Sequence, residues 1–95
     1  MGICSWYGAE GEIPEGWPTA CGVPFSRYVI AAAHLTLPCG TNVKVTNTDN
    51  GQSMVVTIDD RGPYVAGRIL DLTYEAAVQF GIVNQGLMNC RIETV

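Results

Sequence analysis

A chain of 95 residues has room for a single domain, residues 1–95, with a thin core, since a protein of this size buries only ~60–65% of the surface its unfolded form exposes. Hydrophobic residues at 47% and charged residues at 15% exclude a disordered tail, and a net charge of −4 with five basic residues scattered singly excludes a nucleic-acid partner and disfavours an anionic membrane surface. No apolar run approaches the ~20 residues of a membrane helix, so no membrane insertion is expected.

Taken in chain order, Gly2 to Tyr7 is short, rich in β-formers and reads as an opening strand. Its first residues, Met1-Gly-Ile-Cys4, lack the basic and long apolar regions of a signal peptide. Ala9 to Pro18 carries three glutamates, two glycines and two prolines, a loop composition. Tyr28 to Ala33 fits either a strand or a helical turn, because alanine favours one and Tyr-Val-Ile the other. Asn42 to Asn47 alternates Val43 and Val45 against Lys44 and Thr46, and Ser53 to Asp60 alternates Val56 and Ile58 against Val55 and Thr57. That is the period of half-buried strands. Between them Thr48-Asp-Asn-Gly51 predicts a tight hairpin turn. Thr73 predicts a helix cap before Tyr74, with Glu75 in the first turn and Gly81 as the left-handed terminator, and Leu87 to Thr94 reads as a closing strand. Short strands with glycine or proline at their junctions indicate a small all-β barrel with little helix.

The four cysteines include no Cys-x-x-Cys pair, which favours two disulfides over a zinc ribbon or a redox motif and points to a mature secreted domain. A metal site from Cys21, His34 and Cys39 fits no common zinc spacing, so neither metal nor cofactor is expected. Four cysteines allow three connectivities.

Asp60 is the sharpest candidate for chemistry. Alternation puts it on the face of Val56 and Ile58, at the rim of the core, where burial disfavours an ionised carboxyl and a proton can be held for general acid catalysis. Set against this, an aspartate before Arg61-Gly-Pro63 can cap a turn or pair with Arg61. His34, the one histidine, has the side chain whose ordinary pKa lies near neutrality, and it can donate to a substrate hydroxyl or orient Asp60. Asp71, between Leu70 and Leu72, is expected near a strand end, with a salt bridge to Arg61 or Arg68 as its structural alternative. Trp6, Tyr7, Trp17, Phe25 and Tyr64 offer an aromatic floor for sugar stacking, although most are needed to fill so small a core.

Cys4-Ser-Trp-Tyr-Gly8, Thr19-Ala-Cys-Gly22, Ala32-Ala-His34, Thr36-Leu-Pro-Cys-Gly-Thr41, Val43-Lys-Val-Thr-Asn47, Asn50-Gly51, Asp60-Arg-Gly-Pro-Tyr64 and Gly67-Arg-Ile-Leu-Asp-Leu72 together resemble the double-psi β-barrel domain of the rare lipoprotein A (RlpA) family, over nearly the whole chain. The resemblance implies a closed barrel of six strands with crossed psi loops, a shallow groove, and relatives that act on peptidoglycan as lytic transglycosylases. In those relatives a glutamate follows the glycine of the Thr-Ala-x-Gly motif, and a histidine and the aspartate of Asp-Arg-Gly-Pro complete the site. His34 and Asp60 match the last two, while Val23 stands where the glutamate is expected. Glycoside hydrolysis ordinarily needs two carboxyl groups. A lytic transglycosylase manages with one, because the muramyl 6-hydroxyl is its own nucleophile; alternatively Glu10, Glu12 or Glu15 takes the vacant place.

The expectation is therefore a secreted, periplasmic or cell-surface monomer that engages peptidoglycan or another cell-wall polysaccharide. Asp60 and His34 are its catalytic candidates, and Thr19, Arg61, Tyr64 and Asp71 its substrate-binding ones. An expansin-like binding module, in which the aspartate matching Asp71 is the important one, is the alternative, and a protease inhibitor on the same barrel is a third class. Against the RlpA pattern, Cys21 and Cys39 fall in two loops that flank the groove and are expected to pair, leaving Cys4 and Cys90 to join the first and last strands.

Overall fold

The alternating valines of β3 (Asn42–Asn47) and β4 (Ser53–Asp60) build the hairpin that their spacing predicts, with Val43 opposite Val56 and Val45 opposite Met54. The computed structural model describes residues 2–95 and adds β1 (Gly2–Trp6), β2 (Ala31–Ala33), β5 (Arg68–Leu72), helix α1 (Tyr74–Phe80) and β6 (Leu87–Thr94). The strands close in the order β1-β5-β2-β4-β3-β6. The pairs β1·β5 and β2·β4 are parallel and the others antiparallel. Strand β5 thus lies between the consecutive strands β1 and β2, and β4 between β2 and β3, which is the crossed connection of a double-psi barrel.

Closure leaves no free sheet edge and turns one face of every strand inward. Val43, Val45, Val56, Ile58, Leu70 and Leu72 fill that interior, and Cys4, Met88 and Cys90 close it beside β6. Strand β2, whose sequence fits strand or helix equally, is extended because Ala32 is held between Ile58 of β4 and Leu72 of β5, and all three of its alanines are buried. Pairing on both sides overrides the helical preference of alanine.

Helix α1 starts and stops at the residues its capping signals name. Thr73 accepts from the Ala76 N–H and donates to the Val29 carbonyl, tying the helix start to the segment before β2. Gly81 takes the left-handed φ of 72° and returns its N–H to the carbonyls of Ala77 and Val78. Ala76, Ala77 and Phe80 face the barrel. One disulfide joins Cys4 on β1 to Cys90 on β6, and a second joins Cys21 to Cys39, with Cα atoms 5.9 and 5.8 Å apart. No helix among the described residues is long and apolar enough to cross a membrane.

Candidate functional site

The end of β4 departs from simple alternation. Ala32 pairs with Ile58 but Ala33 pairs with Asp60, so Asp59 is the extra residue of a bulge. A bulge re-aims side chains. Here it places both aspartates at half-burial instead of sending one inward and one outward. Asp59 lines a mostly apolar cleft of about 300 Å³ with Cys21, Val23, Cys39, Thr57 and Ile58. Its Oδ1 is buried without a hydrogen-bond partner. Burial first, and the charge of Asp60 second, push its carboxyl up to about 6. The burial expected at Asp60 from the alternation is shared by Asp59, because the parity argument holds only as far as Ile58. The Asp-Asp doublet was visible in the sequence, but nothing in it signals the bulge.

The folded chain keeps the Asp59 proton up to about pH 6, whereas the unfolded chain releases it near 3.8, so stability falls as pH rises through that window. Half-exposure screens the effect to about 1 kcal/mol. An Asp59→Asn variant is expected to lose this slope and to be about 1 kcal/mol more stable than the parent at pH 7. Urea unfolding at several pH values between 4 and 7 measures it, and a parent stability that rises with pH across this window contradicts the assignment.

Asp60 meets three donors. The Tyr7 hydroxyl donates to Oδ2 at 3.2 Å, and the N–H groups of Ala20 and Arg61 donate to Oδ1 at 2.9 Å each. Each donor has its own support. Arg61 follows directly in the chain, so its bond is the turn cap foreseen for an aspartate at this position. Ala20 sits on a small hairpin made by Gly16 N–H to Phe25 O (2.8 Å), Phe25 N–H to Trp17 O (2.7 Å) and Thr19 N–H to Val23 O (2.8 Å). Cys21 ties that hairpin to Cys39. Tyr7 lies just beyond β1 and packs on Phe25, with ring centroids 5.7 Å apart. Burial and then the charge of Asp60 hold its phenol well above the ordinary range, so it stays a donor. Phe25 in turn requires Gly8, where an added Cβ would stand 2.6 Å from the ring and the φ is 83°.

The cleft in front of Asp60 has about 210 Å³ and is lined by Glu12, Pro14, Trp17, Thr19, Ala20 and Phe25 among others. Of the sequence candidates, Thr19 is here, 8% exposed, with an Oγ1 that has no partner. His34 is joined to the site through the backbone, its N–H donating to the Asp60 carbonyl at 3.2 Å. Its Nδ1 accepts from the N–H groups of Thr36 (3.1 Å) and Leu37 (3.0 Å), which leaves the ring proton on Nε2. Burial, then the nearby Arg61 charge, lower its pKa and keep it neutral. Arg61 spends Nη1 on the carbonyls of His34 (3.0 Å) and Leu37 (2.7 Å). Neither Asp60 nor Asp71 is its ion partner; among the described residues the one salt bridge joins Arg91 to Glu93. Asp71 accepts instead from the Ser5 hydroxyl on the neighbouring β1, and its Oδ2 lies with the Tyr64 ring near Gly62. Tyr64 is 80% exposed. Cys21 and Cys39 are bonded to each other, which removes them as thiolate ligands for a metal.

A family model described as "Lytic transglycolase" matches residues 1–92. The chain belongs to this RlpA-like, double-psi barrel family. It is 49% identical over 94 residues to the endolytic peptidoglycan transglycosylase RlpA of Vibrio cholerae, a match covering 99% of this chain and 35% of the relative. To the probable endolytic peptidoglycan transglycosylase RlpA of Nostoc sp. it is 48% identical over 95 residues, covering 100% of this chain and 25% of the relative. The chain thus spans about a quarter to a third of the length of these curated relatives. Among solved structures it is similar to the Streptomyces papain inhibitor, with a TM-score of 0.70 and 24% identity over 96% of this chain and 86% of that one, a likeness of fold alone.

For an RlpA-like chain the departure at Val23 now has a location. Val23 faces the cleft of Asp59, not that of Asp60. Among the three glutamates of the preceding loop, Glu12 lines the Asp60 cleft and accepts from the Gly8 N–H at 3.1 Å, whereas Glu15 is taken by the Arg27 N–H at 3.0 Å.

Proposed function

We propose that this domain cleaves the glycan strand of bacterial peptidoglycan by lytic transglycosylation, outside the cytoplasm, with Asp60 as the acid and base and His34 assisting. The observation that carries the reading is the Asp60 carboxyl group at the floor of a cleft, oriented by Tyr7, Ala20 and Arg61. Full-length similarity of the domain to relatives named as RlpA transglycosylases supports the substrate class.

In this mechanism Asp60 gives its proton to the glycosidic oxygen as the bond from the muramyl C1 breaks, leaving an oxocarbenium-like centre. The donors around Asp60 stabilise the carboxylate that results. That carboxylate then takes the proton of the muramyl 6-hydroxyl, whose oxygen closes on C1 to give a 1,6-anhydro ring. Water is not consumed, and Asp60 ends protonated as it began. One carboxyl group therefore serves both halves, which accommodates valine at position 23. Neutral His34 offers Nε2–H to a substrate hydroxyl.

Digestion of purified peptidoglycan followed by mass spectrometry tests the reading. Muropeptides ending in anhydromuramyl residues are expected. Products with reducing ends contradict it in favour of hydrolysis, and glycan binding without any product contradicts it in favour of an expansin-like binding module.

A further inference from the structure

The two disulfides stand in opposite surroundings. Cys4 and Cys90 are both 0% exposed inside the closed barrel, whereas Cys39 is exposed, Cys21 is half-buried, and both line the cleft of Asp59 and Val23. Exchange requires a thiolate to reach a sulfur, so access separates the two bonds. The accessible bond also has a cation at one end. Arg61 extends Nη2 to 3.6 Å from the Cys39 Sγ, and its Nη1 is fixed on the carbonyls of His34 and Leu37. A fixed cation lowers the pKa of the thiol that forms beside it, and a thiol of lower pKa leaves faster. Cys39 is therefore the leaving sulfur and Cys21 the one attacked. Asp59, in the same cleft, opposes an incoming anion, which leaves the guanidinium to favour the exchange.

The two ends of this bond are unequally held. Cys39 lies between Pro38, whose carbonyl accepts from the Thr41 N–H at 3.1 Å, and Gly40, whose N–H donates to Ile58 of β4 at 2.7 Å. Cys21 is at the tip of the 16–25 hairpin, where the Thr19 and Gly22 N–H groups bond within the hairpin itself. Among the described residues, the one hydrogen bond from residues 19–23 to the barrel is that of the Ala20 N–H to Asp60. Phe25, 3% exposed, anchors the base of the hairpin but not its tip. Opening the bond thus leaves Cys39 in place and frees the segment that supplies a donor to Asp60.

We propose that the Cys21–Cys39 bond is a redox switch: an external dithiol opens it, with Arg61 stabilising the departing sulfur, and the hairpin tip is released from Asp60. One thiolate of the dithiol attacks the Cys21 Sγ, the S–S bond breaks, and its electron pair stays on Cys39 beside Arg61. The second sulfur of the dithiol then displaces Cys21 from the mixed disulfide. The dithiol ends as a disulfide, oxidised by two electrons, and its two protons end on Cys21 and Cys39. Only the oxidised protein keeps all three donors on Asp60. That the oxidised state is an active enzyme rests on the function proposed above; that the bond opens selectively and frees the tip does not.

Treatment with dithiothreitol in the absence of denaturant, followed by alkylation and peptide mass spectrometry, is expected to label Cys21 and Cys39 while the Cys4–Cys90 bond stays closed. Amide exchange at Ala20, read by NMR, should then be at least about tenfold faster than in the oxidised protein. Anhydromuramyl release should fall about tenfold or more and return on reoxidation with glutathione disulfide. Arg61→Gln should slow the reduction about threefold relative to Arg61→Lys, which keeps the charge. Labelling of all four cysteines together, unchanged exchange at Ala20 after selective reduction, or equal reduction rates in the two Arg61 variants overturns the switch. Selective reduction that frees the tip of a protein releasing no anhydromuramyl products in either state keeps the switch and discards the cleavage. Undiminished product release from the selectively reduced protein does the reverse.

Discussion

Replacing Asp60 with asparagine is expected to reduce anhydromuramyl release by at least about a hundredfold, the scale on which a positioned acid and base contributes to a reaction. The substitution separates chemistry from architecture. Asparagine keeps a side-chain oxygen that can accept from the N–H groups of Ala20, the bond that docks the 16–25 hairpin onto the end of β4, and of Arg61, the bond that caps the following turn. It has no acidic proton to give to the glycosidic oxygen and no basicity to take one from the 6-hydroxyl. Thermal unfolding of the variant should stay within a few degrees of the parent while product formation collapses. An Asp60→Asn variant as active as the parent would remove Asp60 from the mechanism.

The largest effect on stability is expected from the Cys4→Ala/Cys90→Ala double variant. This bridge closes a loop with a sequence separation of 86 across the β1·β6 seam, and the loop-entropy model assigns about 4.5 kcal/mol to such a closure. Domains of this kind have net stabilities of about 5–15 kcal/mol, so the loss is a large fraction of the whole. The melting temperature should fall by on the order of 20 °C. Replacing Cys21 and Cys39, 18 residues apart, should cost less, about 3 kcal/mol. Its greater consequence should be for activity, because this bridge tethers the hairpin that brings Ala20 to Asp60. Denaturant unfolding of the two double variants, set beside their activities, checks the ordering. A Cys21/Cys39 variant less stable than the Cys4/Cys90 variant would contradict it.

Much of the framework was legible because its signals are local. The β3·β4 hairpin follows from period-two alternation around Asn50-Gly51, and α1 from Thr73 and Gly81, features that act within a few residues of one another. The motif series identified the barrel and its family, and named Asp60 as the residue to examine. At Ala31–Ala33 the local signals cancelled, and only pairing to both β4 and β5 made the segment a strand.

By itself, then, the amino-acid sequence determined most of the strands, the helix and the family, and nominated Asp60 and His34 as candidates for chemistry. The tertiary structure alone decided what surrounds each of them. Tyr7 and Ala20 reach Asp60 from 53 and 40 residues away, burial in a cleft raises the pKa of Asp59, and closure takes Phe25 inside while leaving Trp17 out. The physical reason is range. Propensity, capping and alternation are properties of neighbours along the chain, whereas hydrogen-bond partners, desolvation and exposure depend on which distant segments the closed barrel brings side by side.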